Sequence, residues 1–252
     1  MSTSLNIVVV GTYQVNCYLY WDNKTKDGVI IDPGDDSDVI IDEVRKAGFV
    51  PKAILLTHGH VDHIVAVEAV KAEFSIPLVA GRGEKQLLAE PSLNFSTYHD
   101  APVSLTNLEK LCDDEEIVSF GSLALRVLAT PGHTPGGVCY LSETDGILFC
   151  GDTLFQGSIG RTDLPGGDTD VLLESIQRKI LTLPDAIICY PGHGPRTTVG
   201  TERGGNPFFW SVLCLIQLKS LRSRSKGSLI TTVTAIIRTM QSVQSRNIAR
   251  SG

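Results

Sequence analysis

Thr57-His58-Gly59-His60-Val61-Asp62-His63 contains three histidines and one aspartate within six consecutive residues. Imidazole nitrogens and carboxylate oxygens are the ligand types that zinc and similar divalent metals prefer. One such residue would be explained as a polar loop residue or as a helix N-cap. Four potential ligands side by side are not explained in that way, so the segment predicts a metal-binding protein and, given this ligand chemistry, a metalloenzyme.

The ligand-rich segment lies between an apolar, strand-like run at 53–56 and a segment with helical periodicity. Side chains two residues apart in an extended loop project to the same side, so His58 and His60 can reach one metal together. Asp62 and His63 lie at the predicted helix start and point elsewhere. We therefore expect them to serve a second metal close by.

Three later motifs each place one more potential ligand after a predicted strand. They are Pro131-Gly132-His133 after the alternating stretch 123–128, Gly151-Asp152 after the apolar run 147–150, and Pro191-Gly192-His193 after 187–190. Taken singly, Asp152 could be a turn residue and His133 a buried structural histidine. Because all share the order strand then ligand, we expect them to gather along one edge of the fold.

The motifs His-x-His-x-Asp-His, Pro-Gly-His, Gly-Asp and Pro-Gly-His-Gly, in this order, resemble those of the metallo-β-lactamase superfamily. Residues 155–168, residues 191–195 and the later Asn206-Pro207-Phe208 are similar to the short glyoxalase II-like hydrolases, also called hydroxyacylglutathione hydrolase-like. The resemblance covers about residues 5–208. It implies an α/β fold, the four-layer αββα metallo-β-lactamase sandwich.

The resemblance also implies a ligand set. One metal would be held by His58, His60 and His133, the other by Asp62, His63 and His193, and Asp152 would bridge them. The implied cofactors are two divalent metal ions, with Zn²⁺ favoured and iron or manganese as alternatives, because this ligand set accepts all three.

The implied reaction is hydrolysis of a small-molecule thioester, with S-acyl-glutathione favoured, such as S-lactoylglutathione to lactate and glutathione. A hydroxide held between the metals would attack the carbonyl, and Asp62 and Asp152 are the candidate catalytic carboxylates. Arg161 is the candidate substrate-binding residue. The alternative for Arg161 is a structural pairing with Asp163 or Asp168.

Two other functions remain open at this point. Persulfide dioxygenases share His-x-His-x-Asp-His but use a single iron, and they typically carry Pro-Ala-His-Asp where this chain has Pro191-Gly-His-Gly, which favours the hydrolase. A metal-binding paralogue without turnover is suggested by Val65, which stands where relatives usually have glycine. An exported β-lactamase is disfavoured, because residues 1–6 contain neither a basic segment nor an apolar run, and we expect a cytoplasmic protein.

Composition predicts one large domain. The 252 residues are 42% apolar and 20% charged, and the six cysteines form no C-x-x-C pair, so they are expected to be buried thiols in a reducing compartment. We place the hydrolase domain at residues 1–207. We expect no nucleic-acid partner and no transmembrane segment, and the sequence makes no prediction of oligomeric state.

Residues 208–252 differ from the rest in charge. They contain seven basic and no acidic side chains, whereas the preceding part of the chain is strongly acidic. An interfacial helix with a basic tail is one interpretation. The favoured one is a basic C-terminal extension, made of a packed terminal helix with a partly disordered end, or of non-homologous residues.

Periodicity predicts strands and helices that suit two sheets face to face with helices outside. The predicted strands are 6–10, 16–21, 28–32, 53–56, 77–80, 118–120, 123–128, 137–141 and 146–150, and the predicted helices are 35–47, a helix from the ligand segment through 74, 83–90 and 169–181. Asp32, at a strand end, either orients a ligand or forms the turn before Pro33-Gly34. The turn is the favoured interpretation.

Overall fold

The computed structural model describes residues 2–98 and 101–209. The chain divides into two units, Met1–Asn206 and Pro207–Gly252. The sheets and helices named in this section all belong to the first unit. The predicted basic extension lies, beyond residue 209, outside the described residues, and the predicted domain boundary stays a prediction.

The first unit is built from strands and helices in mixed order. The strands are β1 Thr3–Val10, β2 Val15–Asp22, β3 Asp27–Ile31, β4 Val50–Leu55, β5 Leu78–Gly81, β6 Lys110–Cys112, β7 Ile117–Phe120, β8 Leu123–Ala129, β9 Val138–Ser142, β10 Ile147–Gly151, β11 Leu154–Phe155, β12 Ser158–Ile159, β13 Ile188–Pro191 and β14 Thr197–Thr198. The α-helices are α1 Ser37–Ala47, α2 Val61–Ile64, α3 Val67–Phe74, α4 Lys85–Ala89, α5 Thr169–Ser175 and α6 Val199–Gly205. Short 3₁₀ turns lie at Arg82–Glu84 and Ser96–Tyr98, and a π turn, Ile176–Ile180, continues α5.

Two six-stranded sheets form the centre of the fold. One has the order β1-β2-β3-β4-β5-β6, the other has the order β14-β13-β10-β9-β8-β7, and β11 and β12 form a small ribbon. Strand β4 pairs in parallel with β3 and β5, and β10 pairs in parallel with β13. The ligand-rich segments follow β4, β8, β10 and β13, so the strand ends bring them to one edge of the two sheets.

Strand β2 shows why the two sheets pack as they do. Its residues from Val15 to Tyr20 are all buried, which is the pattern of a strand covered on both faces. Alternate side chains point to opposite faces: Cys17 and Leu19 join the core shared with α1 and α3, while Tyr18 and Tyr20 join the core between the sheets. Helix, sheet and sheet therefore form successive layers.

Buried tyrosines connect the inter-sheet core to the ligand segments. The Tyr18 hydroxyl donates to the Pro191 carbonyl over 2.5 Å, and the Tyr140 hydroxyl donates to the Leu56 carbonyl over 2.9 Å. The Tyr18 ring also packs on Phe149, with ring centroids 5.3 Å apart. Each phenol is satisfied at the strand end that precedes a ligand segment, so the packed core fixes where those segments start.

The predicted helix after the ligand segment is wrong in one respect, because it is interrupted. Helix α2 ends at Ile64 and α3 begins at Val67. The amides of Val65 and Ala66 donate to the carbonyls of Gly34 and Pro33, at 3.0 and 3.1 Å, instead of to the preceding helical turn. Tertiary hydrogen bonds therefore override the helical periodicity here.

The remaining predicted strands and helices agree with the structure within a few residues, but the shortest elements have no counterpart among the predictions. Strands β6, β11, β12 and β14 have two or three residues, too few to show a period, and α6 is likewise absent from the predicted helices. The five cysteines in the described part of the chain are free and buried, as predicted. Across residues 2–98 and 101–209, no helix combines the length and apolar character needed to span a bilayer.

Candidate metal centre

The structure brings together the seven residues predicted as ligands. Their donor atoms form three overlapping groups, each within 4.8 Å: His58, His60 and His133; His58, His63 and Asp152; and Asp62, His63 and His193. The first and third groups match the two predicted ligand sets, and the second links them through Asp152. The structure therefore confirms that these seven side chains lie close together, as predicted. Their roles as metal ligands stay a prediction.

Glycine allows the segments to approach so closely. A Cβ atom on Gly192 would collide with Asp152 Oδ1 and would lie 2.6 Å from His63 Cε1. The Gly192 amide donates to the Gly151 carbonyl over 2.8 Å, which holds the segment against the end of β10. Only a residue without a side chain fits at this place.

We predict that Gly192→Ala disrupts the centre. The added methyl group has to displace the Asp152 carboxylate or the His63 ring, so metal affinity and turnover should both fall by at least about tenfold, the effect expected when ligand geometry is disturbed. Titration of the metal-free protein with Zn²⁺ measures the affinity. Gly204→Ala is the control, because a Cβ atom there meets nothing within 4 Å. Equal affinities of the two variants would contradict the prediction.

Asp32 contacts His63, one of the predicted ligands. It is buried, its Oδ1 accepts from the Thr57 amide at 2.8 Å, and its Oδ2 accepts from the Thr57 hydroxyl at 2.6 Å and lies 3.1 Å from His63 Nδ1. With Nδ1 engaged, His63 presents Nε2 to the centre. Asp32 also has a positive φ of 51° at the turn. The favoured interpretation, a turn residue alone, is therefore corrected, because Asp32 does both.

Two backbone carbonyls orient further histidines. The Arg161 carbonyl lies 2.7 Å from His133 Nδ1, and the Tyr13 carbonyl lies 3.0 Å from His193 Nδ1. In each histidine the Nε2 atom then faces the centre. His133 Nε2 and His58 Nε2 are only 3.3 Å apart, a distance that suits two nitrogens aimed at one cation.

Three buried polar atoms at the centre have no hydrogen-bond partner within the described part of the chain: His60 Nε2, His63 Nε2 and Asp152 Oδ1. An unpartnered buried polar atom costs about 1–3 kcal/mol and is rare in folded proteins. Three such atoms in one cluster, all of metal-ligating type, are explained if they coordinate cations. The residues present therefore fit the divalent metals that the sequence predicts.

Electrostatics in the cluster favours the same conclusion. Burial lowers the pKa of His58 far below its usual value and that of His60 to about 3, so both are neutral, as metal ligation requires. Burial raises the pKa of Asp152, but His63 and the neighbouring histidines together lower it by more than burial raises it. The pKa is therefore below its usual value, and this carboxylate is ionised. The pKa of His63 is raised, since the field of Asp62 and Asp152 outweighs the lowering effect of burial. That negative field attracts cations.

The structure gives Arg161 a structural partner. Its guanidinium Nε and Nη2 donate to the two carboxylate oxygens of Asp163, each at 2.8 Å, and the side chains are exposed. This is the pairing that the alternative interpretation predicted, whereas the Arg161 carbonyl, which the sequence did not point to, contacts His133. A substrate-binding role for its side chain stays a prediction.

A cavity of about 420 Å³ opens beside His193. It is lined by Phe155, Gln156, Ser158, His193, Gly194 and Pro195. Its lining combines an aromatic ring, a carboxamide and a hydroxyl, which suits a small molecule with apolar and polar parts.

Comparison with known proteins identifies relatives of the metallo-hydrolase type, in agreement with the predicted metal centre. The family model described as "Metallo-beta-lactamase superfamily" matches residues 10–193. The chain is 41% identical over 201 residues to "Probable metallo-hydrolase YqgX" of Bacillus subtilis, covering 79% of this chain and 94% of that protein. It is 37% identical over 211 residues to "Hydroxyacylglutathione hydrolase GloC" of Haemophilus influenzae, covering 81% and 97%.

Solved structures resemble the chain as well. The BLEG-1 B3 metallo-beta-lactamase has a TM-score of 0.78 at 42% identity, covering 82% of this chain and all of the other. TTHA1623 in a di-iron-bound form has a TM-score of 0.70 at 34% identity, covering 81% and 99%. ETHE1 from Myxococcus xanthus has a TM-score of 0.68 at 28% identity, covering 81% and 83%. The predicted αββα fold is thereby confirmed.

Proposed function

The chain belongs to the metallo-beta-lactamase superfamily, and from that membership and the geometry of its centre we propose that it is a dinuclear metal-dependent hydrolase of thioesters. S-acyl-glutathione, such as S-lactoylglutathione, is the proposed substrate class, and Zn²⁺ is the proposed metal. Membership and the His/Asp clusters support divalent metal binding and hydrolysis at the coarser level. The dinuclear state and the substrate class are the finer part of the proposal.

One observation carries the dinuclear proposal. The Asp152 side chain lies between the two predicted ligand sets: its Oδ1 is 3.5 Å from His63 Nε2 and its Oδ2 is 3.7 Å from His133 Nε2. Asp152 Oδ2 is also 3.6 Å from His193 Nε2, so the carboxylate is near donors of both sets, which suits a bridging ligand. A mononuclear centre would leave one group of donors without a partner.

Two divalent cations, when bound, would supply a water of lowered pKa and positive charge to stabilise a developing oxyanion. The residues of the chain do the rest. His58, His60 and His133 would hold one cation, and Asp62, His63 and His193 the other. Burial raises the pKa of Asp62, but His63 and His193 together lower it by more, so the carboxyl is ionised. Its carboxylate is proposed to accept the proton of the attacking water.

The bonds made and broken are those of an ordinary hydrolysis. The water oxygen forms a bond to the thioester carbonyl carbon, the carbon–sulfur bond breaks, and the thiolate leaves with the bonding electron pair. Because the pKa of a cysteine thiol is near 8.5, its thiolate is a good leaving group and leaves without prior protonation. The cavity beside His193 is the proposed place for the acyl or thiol part of the substrate.

Two relatives define the competing activities. The similarity to ETHE1 fits the mononuclear-iron persulfide dioxygenase alternative, and BLEG-1 is named a B3 metallo-beta-lactamase. The relative named hydroxyacylglutathione hydrolase is more similar in sequence than ETHE1 and is matched over nearly its full length, which supports the thioesterase against the dioxygenase. A metal-binding paralogue without turnover would be inactive on every substrate.

The test is a substrate panel with the Zn²⁺-loaded and the iron-loaded protein. We expect hydrolysis of S-lactoylglutathione, which is measured as the release of free thiol. Chelation should lower the rate about a thousandfold, since a metal contributes several kcal/mol to catalysis. Added Zn²⁺ should restore the rate. Oxygen consumption with glutathione persulfide, without thioester hydrolysis, would show a persulfide dioxygenase instead. Opening of a β-lactam ring, without thioester hydrolysis, would show a β-lactamase instead.

A further inference from the structure

Glu84 is a fully buried carboxylate close to the metal centre that no sequence motif marks. It lies at the end of the 3₁₀ turn Arg82–Glu84, directly before α4, with no exposed surface. Its Oε2 accepts a hydrogen bond from the Gly59 amide at 2.8 Å, and its Oε1 accepts one from the Gly136 amide at 2.8 Å. One side chain therefore ties two separate segments together.

Both segments carry ligands of the same half of the centre. Gly59 stands between His58 and His60, and Gly136 follows His133 by three residues. Two amides held by one carboxylate fix the distance between the His58-Gly59-His60 segment and the His133 segment. Neither of these two hydrogen bonds involves the other predicted ligand set, Asp62, His63 and His193.

Close backbone packing around Glu84 makes this arrangement possible. A Cβ atom on Gly136 would collide with the backbone of Gly83, and one on Gly83 would lie 2.6 Å from Gly136 Cα. A Cβ atom on Gly59 would lie 2.6 Å from Leu87 Cδ2 in α4. Three glycines thus allow both ligand segments to reach the turn that carries Glu84, so the contact is built into the backbone.

The charge of Glu84 has no cationic side chain to balance it in residues 2–98 and 101–209, where it forms no ion pair. Burial raises the pKa of this carboxyl, and its hydrogen bonds lower it only in part. A buried carboxylate without an ion-pair partner is expensive. Two divalent cations nearby would be the largest local charges and would compensate it, as they would Asp32 and the ligand carboxylates.

We propose that Glu84 is a positioning residue for the three-histidine half of the centre, holding His58 and His60 against His133. This inference rests on the proposed metal centre. Because both hydrogen bonds of Glu84 lie on the segments that carry His58, His60 and His133, disturbing Glu84 should weaken that metal site and leave the other.

The test measures Zn²⁺ affinity in two backgrounds that each retain one half. His193→Ala retains the three-histidine half, and His133→Ala retains the half with Asp62 and His63. Metal-free protein is titrated with Zn²⁺ against a chromophoric chelator. In the His193→Ala background we expect Glu84→Gln to weaken binding by about 10–100-fold, the usual effect of losing a residue that orients ligands, and in the His133→Ala background by less than about threefold.

Glu90→Gln, an exposed glutamate at the end of α4, is the matched control and should change neither affinity. Equal weakening in both backgrounds, or none in either, would overturn the proposal. If Glu84→Gln does not fold, Glu84→Asp replaces it, since it keeps the charge but is too short to reach both amides. If neither variant folds, Glu84 supports the fold as a whole and the proposal is wrong. A parent chain that binds no Zn²⁺ would overturn the metal centre itself.

Discussion

Asp152→Ala is expected to lose about a thousandfold or more in kcat/KM for thioester hydrolysis. Asp152 belongs to the donor group with His58 and His63, and its oxygens lie between both ligand sets. Without it the two cations would lose their shared ligand and one of the two carboxylate charges that hold them. A loss of about 4 kcal/mol of transition-state stabilisation corresponds to this factor, and it is the size of effect attributed to metal ions.

The measurement is steady-state kinetics at saturating Zn²⁺, with bound metal counted in the same samples. Asp170→Ala is the control, because this aspartate is exposed in the first turn of α5 and is not one of the predicted ligands. A variant at Asp152 that retains two metals and more than about a tenth of the activity would contradict the assignment. The control should keep its activity within about twofold, the change usual for an exposed position.

Asp32→Ala is expected to lower the free energy of unfolding of the metal-free protein by about 3–5 kcal/mol. The substitution leaves the Thr57 amide, the Thr57 hydroxyl and His63 Nδ1 without their acceptor in a buried place. Each unsatisfied buried donor costs about 1–3 kcal/mol. Breaking a buried charged pair by removing one partner has an effect of the same size.

Urea denaturation of the metal-free protein, followed by circular dichroism, measures this loss. Asp38→Ala is the matched control. Asp38 is an exposed aspartate in the first turn of α1 and should cost no more than about 1 kcal/mol through its interaction with the helix dipole. If Asp32→Ala were no more destabilising than Asp38→Ala, the hydrogen bonds of Asp32 would not be structural.

The sequence was sufficient to predict the ligand cluster, because a run such as 57–63 is typical of metal-binding segments and each later motif stands at a strand end. The alternating burial in the first half of β8 likewise follows from hydrophobic periodicity. These features depend on local pattern. The structure confirms both the predicted fold and the predicted proximity of the ligand residues.

Features that depend on tertiary contacts could not be predicted. The break between α2 and α3 is caused by carbonyls of Pro33 and Gly34, far away in sequence. The carbonyls of Tyr13 and Arg161 that contact His193 and His133 are backbone atoms, which leave no trace in residue type. Their contributions become visible only when the chain is folded.

Glu84 shows the same limit for a side chain. A single glutamate before a short helix is an ordinary sequence feature, and its importance lies in the two glycine amides that it joins. Asp32 carried a weak signal, since it follows a strand, but a turn before Pro33-Gly34 explained it equally well. The structure shows that an aspartate at a strand end can form the turn and contact a predicted ligand, His63, at once.

A centre for two metal ions is the central claim, and its most direct test is the metal content of the chain after purification and Zn²⁺ reconstitution, measured by plasma mass spectrometry. We expect close to two metal ions per chain, falling to close to one in His193→Ala and in His133→Ala. A content of one metal per chain that neither variant reduces, or no retained metal at all, would contradict the claim.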